Sequence, residues 1–78
     1  MRYVDRARIL EIVSRHTGIT PAEVTAEAYP EFIPGSADFR TAKIRVFQQL
    51  QDLKKHGQII RAGIVPGTKD TGIWRAVA

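Results

Sequence analysis

The hydrophobic period of this chain changes at Gly57, and that change constrains the fold more than any other feature of the sequence. From Ala37 to His56 the apolar residues recur with the period of an α-helix, and at about 100° per residue five of them fall within about 60° of one direction. They are Phe39, Ala42, Val46, Leu50 and Leu53. After Gly57, a typical residue just past a helix end, β-branched runs at 58–65 and 72–77 flank a turn-rich segment. The sequence therefore predicts a long helix followed by a β-hairpin.

Two shorter helices are predicted ahead of the long one. Asp5 is a candidate N-cap for helix 1, and Gly18 is its expected stop signal. The apolar stripe of helix 1 is predicted to be Ala7, Leu10 and Val13, widened by Ile9 and Ile12. Helix 2 begins at the capping box 20–23, with Pro21 at the first helical position, and ends at about Ala28.

The segment between helices 2 and 3 is an unusually long connection. Residues 29–36 contain two prolines and a glycine, which favour an irregular path over a helix. We expect Phe32 and Ile33 in this connection to be tucked against the core.

Length and composition indicate one small globular domain, residues 1–78. A chain of this size buries about 60% of its surface, which is enough for one modest core but not for a dinucleotide-binding crevice or a barrel. With no cysteine, burial alone must hold the fold. No apolar run approaches the ~20 residues that span a bilayer, and no signal-peptide core follows Met1 and Arg2. We therefore expect a cytoplasmic protein without a membrane partner.

The charge of the chain is unevenly distributed. Twelve Lys and Arg residues against eight Asp and Glu residues give a net charge of +4 and a pI of about 10.0. Residues 1–16 carry +2, residues 17–39 carry −4 and residues 40–78 carry +6. A basic second half is typical of nucleic-acid binding, because neutralising phosphates releases counterions. The same excess could also be an ordinary solvated face.

The order of elements resembles a winged helix-turn-helix domain, an α+β fold of three helices followed by a two-stranded antiparallel β-hairpin wing. The passage Leu50-x-x-Leu53-Lys54-Lys55-His56-Gly57-x-Ile59-x-Arg61, followed by a glycine-rich loop and Gly72-Ile73-Trp74, is similar to the helix-3-to-wing passage of that superfamily. In physical terms, the two leucines close the helical core, Gly57 turns the chain and Ile59 re-enters the core. The resemblance covers residues 5–77 and implies DNA binding.

Within this superfamily, the residues around helix 3 are similar to one particular module. Lys43-Ile44-Arg45, followed by Gln49, Leu50, Gln51, Leu53 and Gly57, resembles the C-terminal winged-helix module of Dam-replacing, methyl-directed restriction endonucleases. In those enzymes the module binds DNA and a separate nuclease domain cuts it. The proline-containing connection fits that type, whereas the wing is longer here. Z-form nucleic-acid binders also have a late wing tryptophan, but Gln51 replaces their helix-3 tyrosine and their prolines are absent near Trp74.

A winged helix-turn-helix domain reads DNA through the exposed face of its third helix. On this chain the face offers Arg40, Thr41, Lys43, Ile44, Arg45 and Gln48. Arginine can pair with guanine, glutamine with adenine, and an exposed isoleucine can meet a thymine methyl group. Ile44 lies about 140° from the centre of the buried stripe, so it either contacts the DNA groove or packs against the long connection.

The hairpin wing supplies the second set of candidate contacts. Lys69 at the loop tip and Arg61 or Arg75 at the base could reach phosphates or a minor groove. Alternatively, Lys69 is merely solvated and the two arginines pair with acidic residues. Trp74 is predicted to be a core plug between the hairpin and helix 1 rather than a base-stacking platform.

The starts of helices 2 and 3, at Thr20 and Ser36, are candidate phosphate-binding sites, because their backbone N–H groups can bind an anion. Helix 2, however, carries an acidic surface that should face away from DNA and could instead bind a protein partner. This surface consists of Glu23 and Glu27 on the helix and Glu31, which follows the helix.

Nothing in the sequence favours catalysis, a metal or a cofactor. His16 and His56 are both expected at helix ends, where a C-terminal cap role explains them. There is no His-x-x-x-His motif, no glycine-rich phosphate loop and no nucleophile with a nearby base.

The sequence therefore predicts a double-stranded DNA-binding module for transcription regulation or for target recognition in a restriction or phage-related system. A homodimer, through helix 1 or the acidic connection, or a larger protein partner is possible, since one recognition helix makes few contacts. The main alternative is a winged-helix protein-interaction module with no intrinsic DNA affinity. RNA binding is a third possibility.

Overall fold

The computed structural model describes residues 4–68 and 71–77, and in these ranges it contains three α-helices followed by one antiparallel pair of strands. The elements are α1 (Arg6–Ser14), α2 (Pro21–Ala28), α3 (Ala37–Lys55), β1 (Ile59–Ile64) and β2 (Gly72–Ala76). The predicted α+β class and order of elements are confirmed. No helix within the described ranges is both long and apolar enough to cross a bilayer.

The helix starts form as their capping residues predict. The Asp5 side chain accepts a hydrogen bond from the Arg8 backbone N–H at 2.9 Å at the start of α1. At the start of α2, Thr20 Oγ1 accepts from the Glu23 N–H at 3.3 Å, and the Glu23 carboxylate accepts from the Thr20 N–H at 3.0 Å. Each bond satisfies a backbone donor that the helix itself leaves without a partner. The capping box is confirmed in both directions.

The buried face of α1 differs from the predicted stripe. Its buried residues are Ile9, Ile12 and Val13. Ala7 is exposed and Leu10 is half-buried at the edge of the core. The helix packs against α2, α3 and β2 together, and the residues that widen the predicted stripe point into that shared core. The predicted centre of the face is therefore wrong by a fraction of a turn.

Gly18 does not end α1, so its predicted role is wrong. The helix ends at Ser14, and Gly18 lies in the connection that follows. A Cβ atom at Gly18 would lie 2.8 Å from Ile73 Cγ2 of β2. The next residue, Ile19, exchanges two backbone hydrogen bonds with Trp74, at 3.0 and 2.8 Å. Gly18 is thus required by the close approach of the connection to β2.

The long helix α3 is built as predicted. Its buried residues include the whole predicted stripe and one additional residue: Phe39, Ala42, Val46, Gln49, Leu50 and Leu53. His56 is the C-cap residue, as predicted, and Gly57 follows with a positive φ of 77°.

The buried Gln49 was not predicted and joins α3 to the chain before α1. Its Nε2 donates to the Val4 carbonyl oxygen at 2.7 Å, while the Val4 N–H donates to the Tyr29 hydroxyl at 3.1 Å. Phe32 stacks on Tyr29 with ring centroids 5.5 Å apart, which confirms that Phe32 packs against the core. Ile33 is 74% exposed, so the corresponding prediction for Ile33 is wrong.

The hairpin packs against the helices through both strands, with β2 against α1 and α2 and β1 against α3. Trp74 is 1% exposed and belongs to the core that contains the buried face of α1, which confirms the predicted core plug. In the strand register Arg61 lies opposite Trp74, and Arg75 lies opposite Ile60. The register shifts between Arg61 and Gly63, so β1 contains an irregularity beyond Arg61.

Candidate nucleic-acid interface

Three elements that are distant in the sequence meet at one open groove of about 600 Å³. The first turn of α2 contributes Pro21 and Ala22, and the chain at the entry to β2 contributes Thr71 and Gly72. Between these two walls, the exposed side of α3 contributes Lys43, Ile44, Phe47 and Gln48. The groove therefore combines part of the predicted reading face of α3 with the loop end of the hairpin. We call it the α3 groove.

Four of the six candidate residues on helix 3 can be placed on one continuous exposed side. Lys43, Ile44 and Gln48 line the α3 groove, and Ile44 is 58% exposed. Arg40 is also exposed and precedes Ile44 by one helical turn, so it extends the same side toward the start of α3. The exposure of Ile44 shows that the long connection does not bury it.

The other two candidates on helix 3 are placed differently. Thr41 is exposed, and its hydroxyl donates to the Ala37 carbonyl oxygen at 3.1 Å within α3. Arg45 is half-buried and follows Ile44 by about 100° around the helix, away from the groove side of α3. Neither residue lines the α3 groove.

Phe47 is a groove residue that sequence reasoning missed. It is 44% exposed although it is a large aromatic side chain, and it lies three residues after Ile44 on the same side of α3. A signal was available, because Phe47 is absent from the buried stripe of α3 and yet apolar. The groove thus contains two exposed apolar side chains next to Lys43 and Gln48.

The strand register separates the two hairpin arginines. Residues directly opposite each other in a sheet share a face, so Arg61 lies on the face of the buried Trp74. A Cβ atom at Gly72 would be 2.9 Å from Arg61 Nε, so the Arg61 side chain lies against a groove residue. Arg75 is on the opposite, outer face. The third candidate of the wing, Lys69, lies outside the described residues.

The helix starts that are candidate phosphate-binding sites already have hydrogen-bond partners within the chain. The hydroxyl of Thr20 and the carboxylate of Glu23 hold the capping box of α2. The Ser36 hydroxyl accepts from the Phe39 N–H at 3.2 Å, and Asp38 lies in the first turn of α3. Because a carboxylate in the first turn already compensates the positive end of the helix dipole, a phosphate gains less there.

The acidic surface of α2 is largely engaged in contacts of the chain itself. Glu27 Oε2 lies 2.6 Å from His16 Nε2, and Glu27 Oε1 lies 3.7 Å from an Arg15 guanidinium nitrogen. His16 therefore joins the end of α1 to α2. The C-cap residue of α1 is Arg15, and the His16 backbone N–H donates to the Val13 carbonyl oxygen at 3.1 Å, so His16 lies at the helix end as predicted. Glu23 belongs to the capping box.

No protein-family model, curated protein or solved structure matches this chain. The three helices and the antiparallel hairpin are compatible with a winged helix. The resemblance of the helix-3 residues to a restriction-endonuclease module stays a prediction from the sequence.

Proposed function

We propose that this chain is a winged-helix module that binds double-stranded DNA, with α3 in the major groove and the hairpin on the flanking backbone or minor groove. One observation carries the proposal: the exposed side of α3, the start of α2 and the loop end of the hairpin meet at a single open groove. Lys43 lies in this groove and Arg40 extends the same side of α3. A polyanion placed along that side would meet cations from α3 and, through Arg61, from the hairpin.

The dimensions and chemistry of α3 suit the DNA major groove. A helix of 19 residues is about 28 Å long, and the major groove admits one α-helix. Gln48 has the amide that can pair with adenine, while Arg40 and Lys43 can bind guanine or phosphate. The net charge of +6 over residues 40–78 adds a long-range attraction to DNA.

The proposed biological role is transcription regulation or target recognition in a restriction or phage-related system of the cytoplasm. Two copies of the module would read two half-sites, since a single recognition helix makes few base contacts. The protein-interaction alternative depends on the acidic surface of α2, and the contacts of Glu23 and Glu27 within the chain weaken its basis.

Fluorescence anisotropy of a labelled duplex across a salt series tests DNA binding. A duplex of about 25 base pairs holds two half-sites one helical turn apart. With three to six phosphate contacts, log K should fall with log salt at a slope of about −3 to −6. Absence of binding at low salt would refute the proposal, and duplex RNA competing as well as DNA would redirect it to RNA.

Single substitutions distinguish a specific surface from net charge. Arg40→Ala and Lys43→Ala should each weaken binding to all sequences and flatten the salt slope by about one. Arg8→Ala on α1 is the matched control, because it removes the same charge from an exposed residue that does not line the groove. Equal effects of all three substitutions would contradict the proposed orientation of α3.

A further inference from the structure

Two large apolar side chains line the α3 groove. Ile44 and Phe47 are both exposed, lie three residues apart on one side of α3 and line the same groove. Water in contact with two such side chains is unfavourable, and burial against an apolar group of a ligand would relieve this. The groove is therefore suited to a ligand that offers an apolar group at this point.

The side chains around Ile44 and Phe47 specify the rest of the ligand. Lys43 and Gln48 flank the two apolar side chains, and Arg61 lies against Gly72 on the hairpin wall. A cation and an amide beside two apolar side chains complement a ligand that is anionic at its edge and bears both hydrogen-bonding and apolar groups. Along a DNA major groove, the apolar group at the edge of the bases is the C5-methyl group of thymine.

On the basis of the proposed DNA-binding function, we infer that Ile44 and Phe47 read thymine through its C5-methyl group. Ile44 lies among the polar side chains of the reading face, and Phe47 lies three residues farther along the same side, toward the end of α3. Gln48 can pair with the adenine of an A·T pair, so an A·T step would satisfy the apolar and the polar groups of the groove together. The module therefore favours sites with thymine opposite these positions.

Replacement of thymine by uracil removes the methyl group and leaves the base pairing and backbone intact. The probe is a duplex that the full chain selects from a random pool. It is prepared in two forms, one with thymine and one with uracil at every thymine position of the selected site. Loss of each buried methyl group should weaken binding by about fourfold. The slope of log K against log salt should be the same for both duplexes, because the phosphate contacts do not change.

Variants locate the discrimination at the two side chains. Ile44→Ala and Phe47→Ala should each bind the thymine duplex more weakly and discriminate less between thymine and uracil. Ile33→Ala is the matched control, since it removes an exposed apolar side chain from the connection outside the groove. The control should retain the full discrimination. Circular dichroism spectra establish that each variant is folded.

The outcomes separate this inference from the proposed function. Equal affinity of the native chain for the thymine and uracil duplexes, with DNA binding intact, overturns the inference alone. Discrimination only between cytosine and 5-methylcytosine in a matched pair of duplexes also overturns it, because that base carries the same methyl group in a G·C pair. Absence of binding to every duplex overturns the proposed function itself.

Discussion

Replacing Gly18 by alanine tests the packing of the α1–α2 connection against the hairpin. The new Cβ atom would lie 2.8 Å from Ile73 Cγ2, well inside the ordinary carbon–carbon contact of about 3.5–4.0 Å. Cγ2 is attached directly to the β-carbon of a β-branched residue, so it cannot swing away without a change of χ1. The backbones of the adjacent Ile19 and Trp74 are joined by two hydrogen bonds. Overpacking of this kind costs about 1–3 kcal/mol.

An opposing contribution comes from the unfolded chain. Gly18 is not among the glycines with positive φ, so alanine can adopt its backbone conformation. Alanine restricts the unfolded chain and should stabilise the protein by about 0.4–1 kcal/mol. The two contributions together predict that Gly18→Ala lowers the free energy of unfolding by about 1.3 kcal/mol, the middle of a range of about 0–2.6 kcal/mol.

A double-mutant cycle with Ile73→Ala isolates the contact. That substitution removes Cγ2, so adding Gly18→Ala to it should raise the free energy of unfolding by about 0.4–1 kcal/mol. Urea denaturation of the four proteins measures each value, with the fluorescence of Trp74, the single tryptophan, as the probe. If Gly18→Ala destabilises both backgrounds equally, the close approach to Ile73 is not the reason for the glycine.

Two further predictions concern the hairpin and the N-terminal contact. Arg61→Ala should weaken DNA binding and flatten its salt slope by about one, whereas Arg75→Ala, on the outer face, should change neither; equal effects in the anisotropy titration would contradict the assignment of faces. Tyr29→Phe leaves the Val4 N–H without its acceptor and should lower the free energy of unfolding by about 1–3 kcal/mol in urea denaturation. An unchanged urea midpoint would show that another acceptor replaces the Tyr29 hydroxyl.

Local signals were sufficient to predict the elements of this fold. The capping box at Thr20 and the N-cap at Asp5 start their helices because each cap bonds a backbone donor three residues away. The stripe of α3 is buried completely, since a single helix with one apolar side has one favourable orientation. The face of α1 was less well predicted, because nearly every apolar residue of α1 can face a core formed by three neighbours.

The predictions from sequence were wrong where the role of a residue depends on a partner that is distant along the chain. Gly18 follows a helix and so looks like a stop signal. Glycine is required there, however, because the side chain of Ile73 in β2 lies too close for a Cβ atom. Ile33 lies beside Phe32 in the connection, yet only Phe32 can stack on Tyr29. Neither the sequence spacing nor the residue type contains this information.

In the candidate interface, too, local periodicity predicts some residues and tertiary packing decides the others. The helical period of α3 is enough to identify its exposed face, which includes Lys43, Ile44 and Gln48. The period leaves Phe47 outside the buried stripe but does not place it in the groove, because a residue beside the stripe is covered or exposed according to what packs next to it. The sequence also could not separate Arg61 from Arg75, since their faces depend on the strand register.

The sequence by itself determined the helices, the hairpin and the apolar residues buried within α3, because capping, turn formation and apolar periodicity act over a few residues of the chain. The tertiary structure decided which exposed side chains share a surface. Pro21, Lys43 and Gly72 are far apart along the chain and line one groove only because α2, α3 and β2 pack on a common core. That proximity results from the burial of all three elements at once, which no local segment encodes.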